Sequence, residues 1–414
     1  MIHLCLFLLF AGSAFASQEL TDANLNEMLD KNPDVQVLQS RLESSQTLKG
    51  KLVRSFLPKV SLSYGREKFT TGPYQSENQP FGGIAAEINL FNSGRDRIEN
   101  SIRNKEAEVA YIESALIRSQ ILAELKKAMS HYAYLYEIRE ITKNAMAQNE
   151  ENLKRSLKRI DAGLASSTDL LDFKQQKIQF SQELSTLDYE VGVTERLINT
   201  LLGEEPSREL SIKFSNAHPD HSDESKILPS GKSLITRKFE LEKETTQLEF
   251  EKQRKWWAPT FDIYGYAQRF TQKEREYTPS EARNDVTLGF KFNFPIFDGG
   301  EGYRTSKATK SIVEAKKYEL RGQDLKLQRQ SLDAIKKLEL AHNLIHGAEE
   351  NVKVMNDYRK SILSEYARGV KNSPDVLQAS QRWIEANIRN AEVKKNYQFA
   401  KVEAEYLSSL QGGN

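Results

Sequence analysis

The stretch from Arg95 to Asp161 reads RDRIENSIRNKEAEVAYIESALIRSQILAELKKAMSHYAYLYEIREITKNAMAQNEENLKRSLKRID and contains neither proline nor glycine. Strong helix formers dominate it, and at 1.5 Å per residue one continuous helix would be roughly 100 Å long. Apolar residues follow a heptad-like spacing, first through Ile98, Ile102, Val109, Ile112 and Leu116, and then in a shifted phase through Ile121, Leu125, Ala128, Tyr132 and Leu135. This spacing predicts a coiled-coil seam, which requires partner helices.

Glycine and capping residues interrupt this helix and predict a helical hairpin at 95–202. The sequence from Gly163 to Asp169 reads GLASSTD, in which glycine ends one helix and the next resumes at Asp169. A second hairpin is expected at 303–410, because Gly369 to Asp375 reads GVKNSPD, with the helix resuming at Asp375. We call these two turns the first and second hairpin tips.

Four short runs change the apolar period from 3.6 to 2 and predict β-strands. The strands are expected at 59–69, 83–91, 260–270 and 285–297. The predicted apolar face carries Val60, Leu62, Tyr64, Ile84, Ile88, Phe261, Ile263, Leu288, Phe290 and Phe292. The predicted polar face carries Glu87, Asn89, Asp262, Lys291 and Asn293.

The two halves of the chain share one order of elements, which is a helix, two strands and a long helical hairpin. Gly163 and Gly369 are 206 positions apart, and so are Asp169 and Asp375. A constant offset of this kind predicts an internal duplication. The first repeat is expected at 17–202, the linker at 203–232 and the second repeat at 233–410.

The N-terminal sixteen residues differ in composition from the rest of the chain. Leu4 to Phe10 is apolar, and Ala14-Phe15-Ala16 has the A-x-A pattern of a cleavage site. This predicts a signal peptide at 1–16, cleavage after Ala16 and export. A buried N-terminal helix is the alternative, which the polar sequence that follows disfavours. Cys5 is the only cysteine and lies inside this segment, so no disulfide is expected.

Composition and motifs argue against several classes of function. Lys and Arg number 59 and Asp and Glu 58, so the basic excess typical of nucleic-acid binding is absent. No Ser/His/Asp arrangement, phosphate-binding glycine loop or paired-carboxylate cleft is recognisable, so we predict neither an enzyme nor a cofactor. The pairs His342/His346 and His218/His221 each lack a third ligand, so no metal site is predicted.

The length and alternation of the strand runs match those of membrane-spanning β-strands. Four strands cannot close a barrel. An open edge in hydrocarbon leaves backbone N–H and C=O groups without hydrogen bonds, which costs several kcal/mol for each group. Three copies of the chain would supply about twelve strands and a lumen, whereas two copies would supply about eight. We therefore expect a homotrimer in lipid, with a soluble antiparallel sheet as the alternative.

Several motifs resemble those of the TolC family of outer-membrane efflux proteins: the turns LFNSG at 90–94 and IFDGG at 296–300, the opening Asn32-Pro33 and both hairpin tips. The resemblance implies a mixed α/β membrane protein with a trimeric fold. Four β-strands per protomer would form a shared 12-stranded β-barrel, continued by a long α-helical barrel in the periplasm. The implied partners are a periplasmic adaptor (membrane fusion) protein, an inner-membrane pump of the RND or ABC type, and outer-membrane lipid.

The residue types at the hairpin tips predict a latch. Thr168 and Asp169 of the first hairpin would meet Tyr366 and Lys371 of the second. In the family, the matching positions hold the tunnel shut. The alternative is that Asp169 and Asp375 only cap their helices.

A trimer would also place three Asp375 carboxylates around the tunnel axis, with Asp172 as a second layer. Such an acidic constriction attracts cations; the alternative is that both are ordinary solvated charges on a helix. The residues expected to dock the adaptor are Gly163, Leu164, Gly369 and Val370.

These features together predict a passive exit duct in the outer membrane, used by a tripartite efflux pump or a type I secretion system. Energy would come from the inner-membrane partner, because no nucleotide-binding motif is present. A non-channel periplasmic or surface coiled-coil scaffold is the alternative. The strict alternation from Val286 to Phe294 argues against it.

Overall fold

The computed structural model describes residues 22–50, 52–67, 70–71, 74–75, 79–163, 167–208, 233–270 and 283–410. The predicted signal peptide with Ala16, the tip residue Leu164 and linker positions 209–232 lie outside the described residues. The chain divides into two compact units. The helical unit comprises Met1–Leu38, Leu116–Gly231 and Leu327–Asn414, and the strand-bearing unit comprises Gln39–Ala115 and Lys232–Lys326.

Most described residues lie in seven α-helices. They are α1 (Asp22–Leu29), α2 (Pro33–Leu48), α3 (Arg95–Asp161), α4 (Ser167–Leu201), α5 (Leu234–Arg254), α6 (Glu301–Ala367) and α7 (Ser373–Ser409), with a short 3₁₀ helix at Leu52–Phe56. Among the described residues, none of the helices combines the length and the apolar character needed to cross a membrane.

The start of α7 differs from the sequence-based expectation. The helix begins at Ser373, two residues before the predicted start at Asp375. Pro374 lies in the first turn, where a helix needs no N–H from it and its fixed φ suits the helix. Pro374 therefore lies within the first turn of α7, although the prediction placed it in the turn before the helix.

The second half of the predicted seam on α3 is the centre of a hydrophobic core in the helical unit. Ile121, Leu125, Ala128 and Tyr132 are all buried there. They pack with residues of α1, α2 and the end of α4, namely Leu25, Leu29, Val35, Ile198 and Leu202. The partner helices that the seam requires are therefore supplied within this chain.

Asn32 joins α2 to the end of α4. Its Oδ1 accepts hydrogen bonds from the backbone N–H of Asp34 at 2.8 Å and of Val35 at 3.3 Å, which caps α2. Its Nδ2 donates to the backbone oxygen of Leu201 at 2.7 Å. Because Asn32 is buried, water cannot replace these bonds.

Asn32→Ala is expected to lower the free energy of unfolding by about 2 kcal/mol, since it removes a helix cap and leaves a carbonyl unpaired. Thermal unfolding of the purified protein, followed by circular dichroism, measures the change. Gln36→Ala on the exposed face of α2 is the control and should leave the melting temperature close to that of the parent. Equal melting of Asn32→Ala and the parent would contradict the role of this residue.

The strand-bearing unit contains one four-stranded antiparallel sheet of order β1-β4-β5-β6 and a small two-stranded sheet of β2 and β3. The strands are β1 (Lys59–Glu67), β2 (Thr70–Thr71), β3 (Tyr74–Gln75), β4 (Gln79–Phe91), β5 (Thr260–Phe270) and β6 (Arg283–Asn293). β4 begins four residues before its predicted start at 83. β6 ends at Asn293 and not at 297, because Pro295 has no N–H to continue the ladder.

The register of the four strands separates an apolar face from a polar face. Leu62 pairs with Ile84, and Ile263 pairs with both Ile88 and Phe290. On the other face, Asn89 donates from Nδ2 to Asp262 Oδ1 at 2.6 Å, and Asp262 pairs with Lys291. The apolar side chains are highly exposed, with 83% for Leu62 and 82% for Leu288. The sheet therefore presents a large apolar surface that nothing in the described part of the chain covers.

A tight turn joins β4 to α3 and is tied to the start of β5. Ser93 has a φ of +49° and Gly94 a φ of +76°. Ser93 Oγ donates to the backbone oxygen of Pro259 at 2.5 Å, and Arg95 Nη2 donates to that of Ala258 at 2.7 Å. These bonds offset the cost of the left-handed serine and fix the direction in which α3 leaves the sheet.

Candidate functional site

Glycines shape both hairpin tips. Gly163 and Gly369 have φ values of +70° and +81°, in the left-handed region that glycine adopts without a Cβ penalty. At the end of α6, the N–H of Gly369 donates to Tyr366 O at 3.1 Å and the N–H of Val370 donates to Glu365 O at 3.0 Å. This is the Schellman arrangement, and it leaves Val370 with 69% of its surface exposed at the turn.

A capping box starts α7 and uses the predicted constriction residue. Asn372 Oδ1 accepts from the Asp375 N–H at 3.3 Å, and Asp375 Oδ2 accepts from the Asn372 N–H at 3.3 Å. Lys371 Nζ lies 3.8 Å from Asp375 Oδ1, in a half-exposed ion pair. The capping role considered for Asp375 is therefore present, and its charge has a cation beside it.

Ser373 connects the two hairpins. Its hydroxyl is buried and lies 2.5 Å from Asp169 Oδ1 and 3.1 Å from Asp172 Oδ2, both of which belong to α4. One hydroxyl proton serves two carboxylates, so α7 and α4 are held together by a charge-assisted hydrogen bond. The structure thus brings two predicted residues, Asp169 and Asp172, to one partner that the sequence analysis did not single out.

Tyr366 is the centre of the apolar core of the tips. Its ring is buried with Phe173, Ile362 and Val376, and it meets the Phe173 ring edge-on at 6.2 Å between centroids. The Tyr366 hydroxyl is buried and has no hydrogen-bond partner among the described residues. Within the described chain it donates to no carboxylate, and the latch involving Thr168, Asp169, Tyr366 and Lys371 stays a prediction.

Two arginines stack on aromatic rings near the tips. The Arg159 guanidinium lies 4.4 Å above the Tyr366 ring and donates from Nη1 to the Tyr366 backbone oxygen at 2.9 Å. Two turns earlier on α6, the Arg359 guanidinium lies 3.7 Å from the centroid of the Trp383 ring of α7. Burial lowers the pKa of the Arg359 guanidinium. Cation–π contacts therefore join α6 to α3 and to α7 in this region.

Sequence reasoning missed Arg159, Phe173 and Ser373. Arg159 stands in the last turn of α3, where a basic residue also fits the helix dipole, so its position indicated a local role. Phe173 follows Asp169 by one helical turn, which places it over the same side of α4. Only the packing of the two hairpins shows that these residues meet Tyr366 and Ser373.

The core between the hairpins becomes polar a few turns from the tips. α3 buries Thr142, Asn149, Asn152 and Ser156 on its inner side. Asn149 Nδ2 donates to Phe173 O at 2.8 Å, and Asn149 and Asn152 line a cavity of about 10 Å³. A cavity of that size and polarity is at the lower limit for one water molecule. The core between the hairpins therefore includes buried polar side chains here, unlike the apolar core around Leu125.

The described fold is similar to the outer membrane protein VceC from Vibrio cholerae, with a TM-score of 0.78, 16% identity and coverage of 94% of this chain and 97% of that chain. It is similar to the Campylobacter jejuni CmeC outer membrane channel, with a TM-score of 0.79, 14% identity and coverage of 93% and 86%. The outer-membrane channel OprN gives a TM-score of 0.76, 18% identity and coverage of 94% and 91%. These similarities show the fold of a TolC-like outer membrane channel, which is mostly helical with one four-stranded antiparallel sheet among the described residues.

The sequence profile described as "Outer membrane efflux protein" matches residues 24–204 and 237–405. The chain belongs to this family, whose members are outer membrane efflux channels that work with adaptor and inner-membrane pump proteins. No curated protein shows significant sequence similarity to the chain. The predicted family, outer-membrane location and channel function are confirmed, and the coiled-coil scaffold alternative is not favoured.

Proposed function

We propose that this chain is a passive exit duct formed by three copies, in which a shared 12-stranded β-barrel in the outer membrane continues into a periplasmic helical tunnel. The observation that carries the proposal is the sheet, with one exposed apolar face, one polar face and two strands, β1 and β6, at open edges. In hydrocarbon those edges require partners, and the nearest available strands are those of further copies.

Apolar stripes on the helices support the same assembly. α4 exposes Leu171, Ile178, Tyr189, Val193 and Leu197. Within the helical unit, α6 exposes Leu332, Leu340, Leu344 and Val354. Large apolar side chains in rows along long helices are typical of helix–helix interfaces, so we assign these stripes to contacts between neighbouring copies.

The same arrangement assigns a role to each remaining part of the chain. The segments 17–202 and 233–410 are two repeats of one unit, joined by the linker 203–232, and both contribute strands and a hairpin. The tips form the closed periplasmic end and dock the adaptor through Gly163, Leu164, Gly369 and Val370, of which Leu164 lies outside the described residues. The inner-membrane pump, of the RND or ABC type, supplies the energy.

Fractionation and electrophysiology of the full chain test the proposal. The protein should appear in the outer membrane fraction, migrate as an SDS-resistant trimer that heating dissociates, and form channels in planar bilayers. A monomer in the soluble periplasmic fraction, with no channel activity, would contradict the proposed duct and favour the scaffold.

The acidic constriction gives a specific prediction for these channels. Asp375→Asn keeps an oxygen that can accept the Asn372 N–H and removes the charge, whereas Asp375→Ala removes both. If three Asp375 carboxylates line the axis, Asp375→Asn should reduce the preference for cations over anions several-fold, because every protomer loses its charge in the ring. The shift of the reversal potential in a salt gradient measures this change.

The comparison of the two Asp375 variants separates charge from capping. Asp375→Ala should lose cation preference to the same degree and also unfold more easily, because the capping box is lost. Asp357→Asn is the control, because Asp357 is an exposed charge on α6 away from the tip. This variant should leave the reversal potential unchanged. Unchanged selectivity in Asp375→Asn would leave Asp375 with its capping role only.

A further inference from the structure

A cavity of about 660 Å³ lies in the strand-bearing unit where β4 turns into α3. Its apolar lining includes Phe56 of the 3₁₀ helix, Phe91 at the end of β4, and Trp257 just before β5. Phe91 and Trp257 each expose about half of their surface. A site of this size with exposed aromatic walls can hold part of an acyl chain.

One wall of the cavity is formed by Phe91, which stands on the apolar face of the sheet. Phe91 pairs with Phe261, and Phe261 pairs with Phe292, so all three side chains stand on that face. A β-bulge between Asn89 and Phe91 changes the register at this point and places Phe91 opposite Phe261, and Leu90 at the bulge also lines the cavity. Phe91 therefore belongs both to the apolar face of the sheet and to the cavity lining.

Two cations line the same cavity. Arg97, in the first turn of α3, is exposed, and none of its described contacts is an ion pair. Lys255 Nζ donates to the Ser93 backbone oxygen at 3.1 Å, which leaves two of its three N–H donors for a ligand. Asp96 is the one carboxylate in the described lining, and its Oδ1 accepts from Asn92 Nδ2 at 3.4 Å. The lining is therefore cationic on balance.

We propose that this cavity binds an anionic phospholipid of the periplasmic leaflet of the outer membrane. The phosphate would lie between Arg97 and Lys255, and an acyl chain would follow Phe91 onto the apolar face. This inference rests on the proposed function, because it requires the apolar face to lie in lipid and the helices to leave it on the periplasmic side. An apolar wall beside two cations matches an anionic amphiphile better than it matches another apolar protein surface.

Tryptophan quenching tests the site in the full-length trimer reconstituted in phosphatidylcholine vesicles. Brominated acyl chains quench the fluorescence only of tryptophans that they contact. The part of the quenching that disappears in Trp257→Phe therefore reports on this cavity. At equal mole fraction, brominated phosphatidylglycerol should quench this signal more strongly than brominated phosphatidylcholine. Arg97→Gln should weaken the apparent affinity for phosphatidylglycerol about five-fold, as expected for the loss of one cation near a lipid surface.

Arg304→Gln is the matched control, because Arg304 is an exposed arginine in the first turn of α6 outside the cavity lining. It should retain the preference for phosphatidylglycerol. Equal quenching by both lipids would overturn the headgroup site. So would an equal loss of affinity for phosphatidylglycerol in Arg97→Gln and Arg304→Gln. No quenching that depends on Trp257 would mean that a neighbouring copy covers the cavity and would also overturn it. Parent trimers that still conduct in pure phosphatidylcholine bilayers would leave the proposed duct intact in either case.

Discussion

Leu288→Arg is expected to remove most of the trimer from the outer membrane fraction. Leu288 lies in the middle of β6 on the apolar face and exposes 82% of its surface, so the substitution would place a guanidinium against lipid. A charge at the middle of a barrel strand costs about 2–4 kcal/mol in each protomer. Since a trimer contains the substitution three times, the assembled fraction should fall at least about ten-fold. Electrophoresis of unheated outer membrane samples measures the remaining trimer.

Thr287→Arg is the control for this experiment. Thr287 is the neighbouring residue on the same strand and pairs with Tyr266 on the polar face. The proposed lumen is wet, so an arginine there should be tolerated and the trimer should persist. Equal amounts of trimer in both variants would contradict the assignment of the two faces.

Arg159→Leu is expected to raise the conductance of reconstituted channels several-fold. The substitution removes the hydrogen bond from Arg159 Nη1 to the Tyr366 backbone oxygen and the stacking of the guanidinium on the Tyr366 ring. A hydrogen bond from a charged donor contributes about 1.5–3 kcal/mol, and the cation–π contact about 0.5–2 kcal/mol. Because the proposed function places this contact at the closed end of the tunnel, its loss should favour open tips. Single-channel recording in planar bilayers measures the change.

Two further variants show which contact holds the tips. Arg155→Leu removes a more exposed arginine one turn earlier on α3, whose partner is Glu151 at 3.5 Å, and should leave the conductance unchanged. Tyr366→Phe removes only the hydroxyl. A conductance increase in Tyr366→Phe would support the predicted latch, whereas an increase in Arg159→Leu alone would assign the closed state to the arginine. If neither variant conducts more than the parent, these contacts do not control the tip.

The sheet was predictable because each of its features has a local signal. Alternation between Val286 and Phe294 identifies a strand and, at the same time, which of its residues share a face. The observed register places the predicted apolar residues of neighbouring strands opposite one another, as for Ile263 and Phe290. The strand ends were less predictable, because the ladder continues as long as a neighbour can pair with it, and β4 therefore begins at Gln79.

The contacts at the tips were not predictable to the same degree, because they join residues that are distant in the sequence. Residue types suggested that a tyrosine would donate to Asp169, and in the described chain a serine does so. The reason is steric: the ring of Tyr366 packs against Phe173 in the core, which takes its hydroxyl away from the carboxylates. A sequence pattern shows that Ser373 and Asp172 are near helix starts, but not that their side chains meet.

The pairing of β4 with β5 has a consequence for the order in which the chain folds. β4 ends at Phe91 and β5 begins at Thr260, and α3, α4 and α5 all lie between them. Until β5 has been exported, β1 and β4 form at most a two-stranded hairpin, which is marginally stable on its own. Closing such a long loop is entropically costly and slow, so the helices have time to form before the sheet is complete. We therefore expect the four-stranded sheet to be completed only after α3, α4 and α5 have been exported.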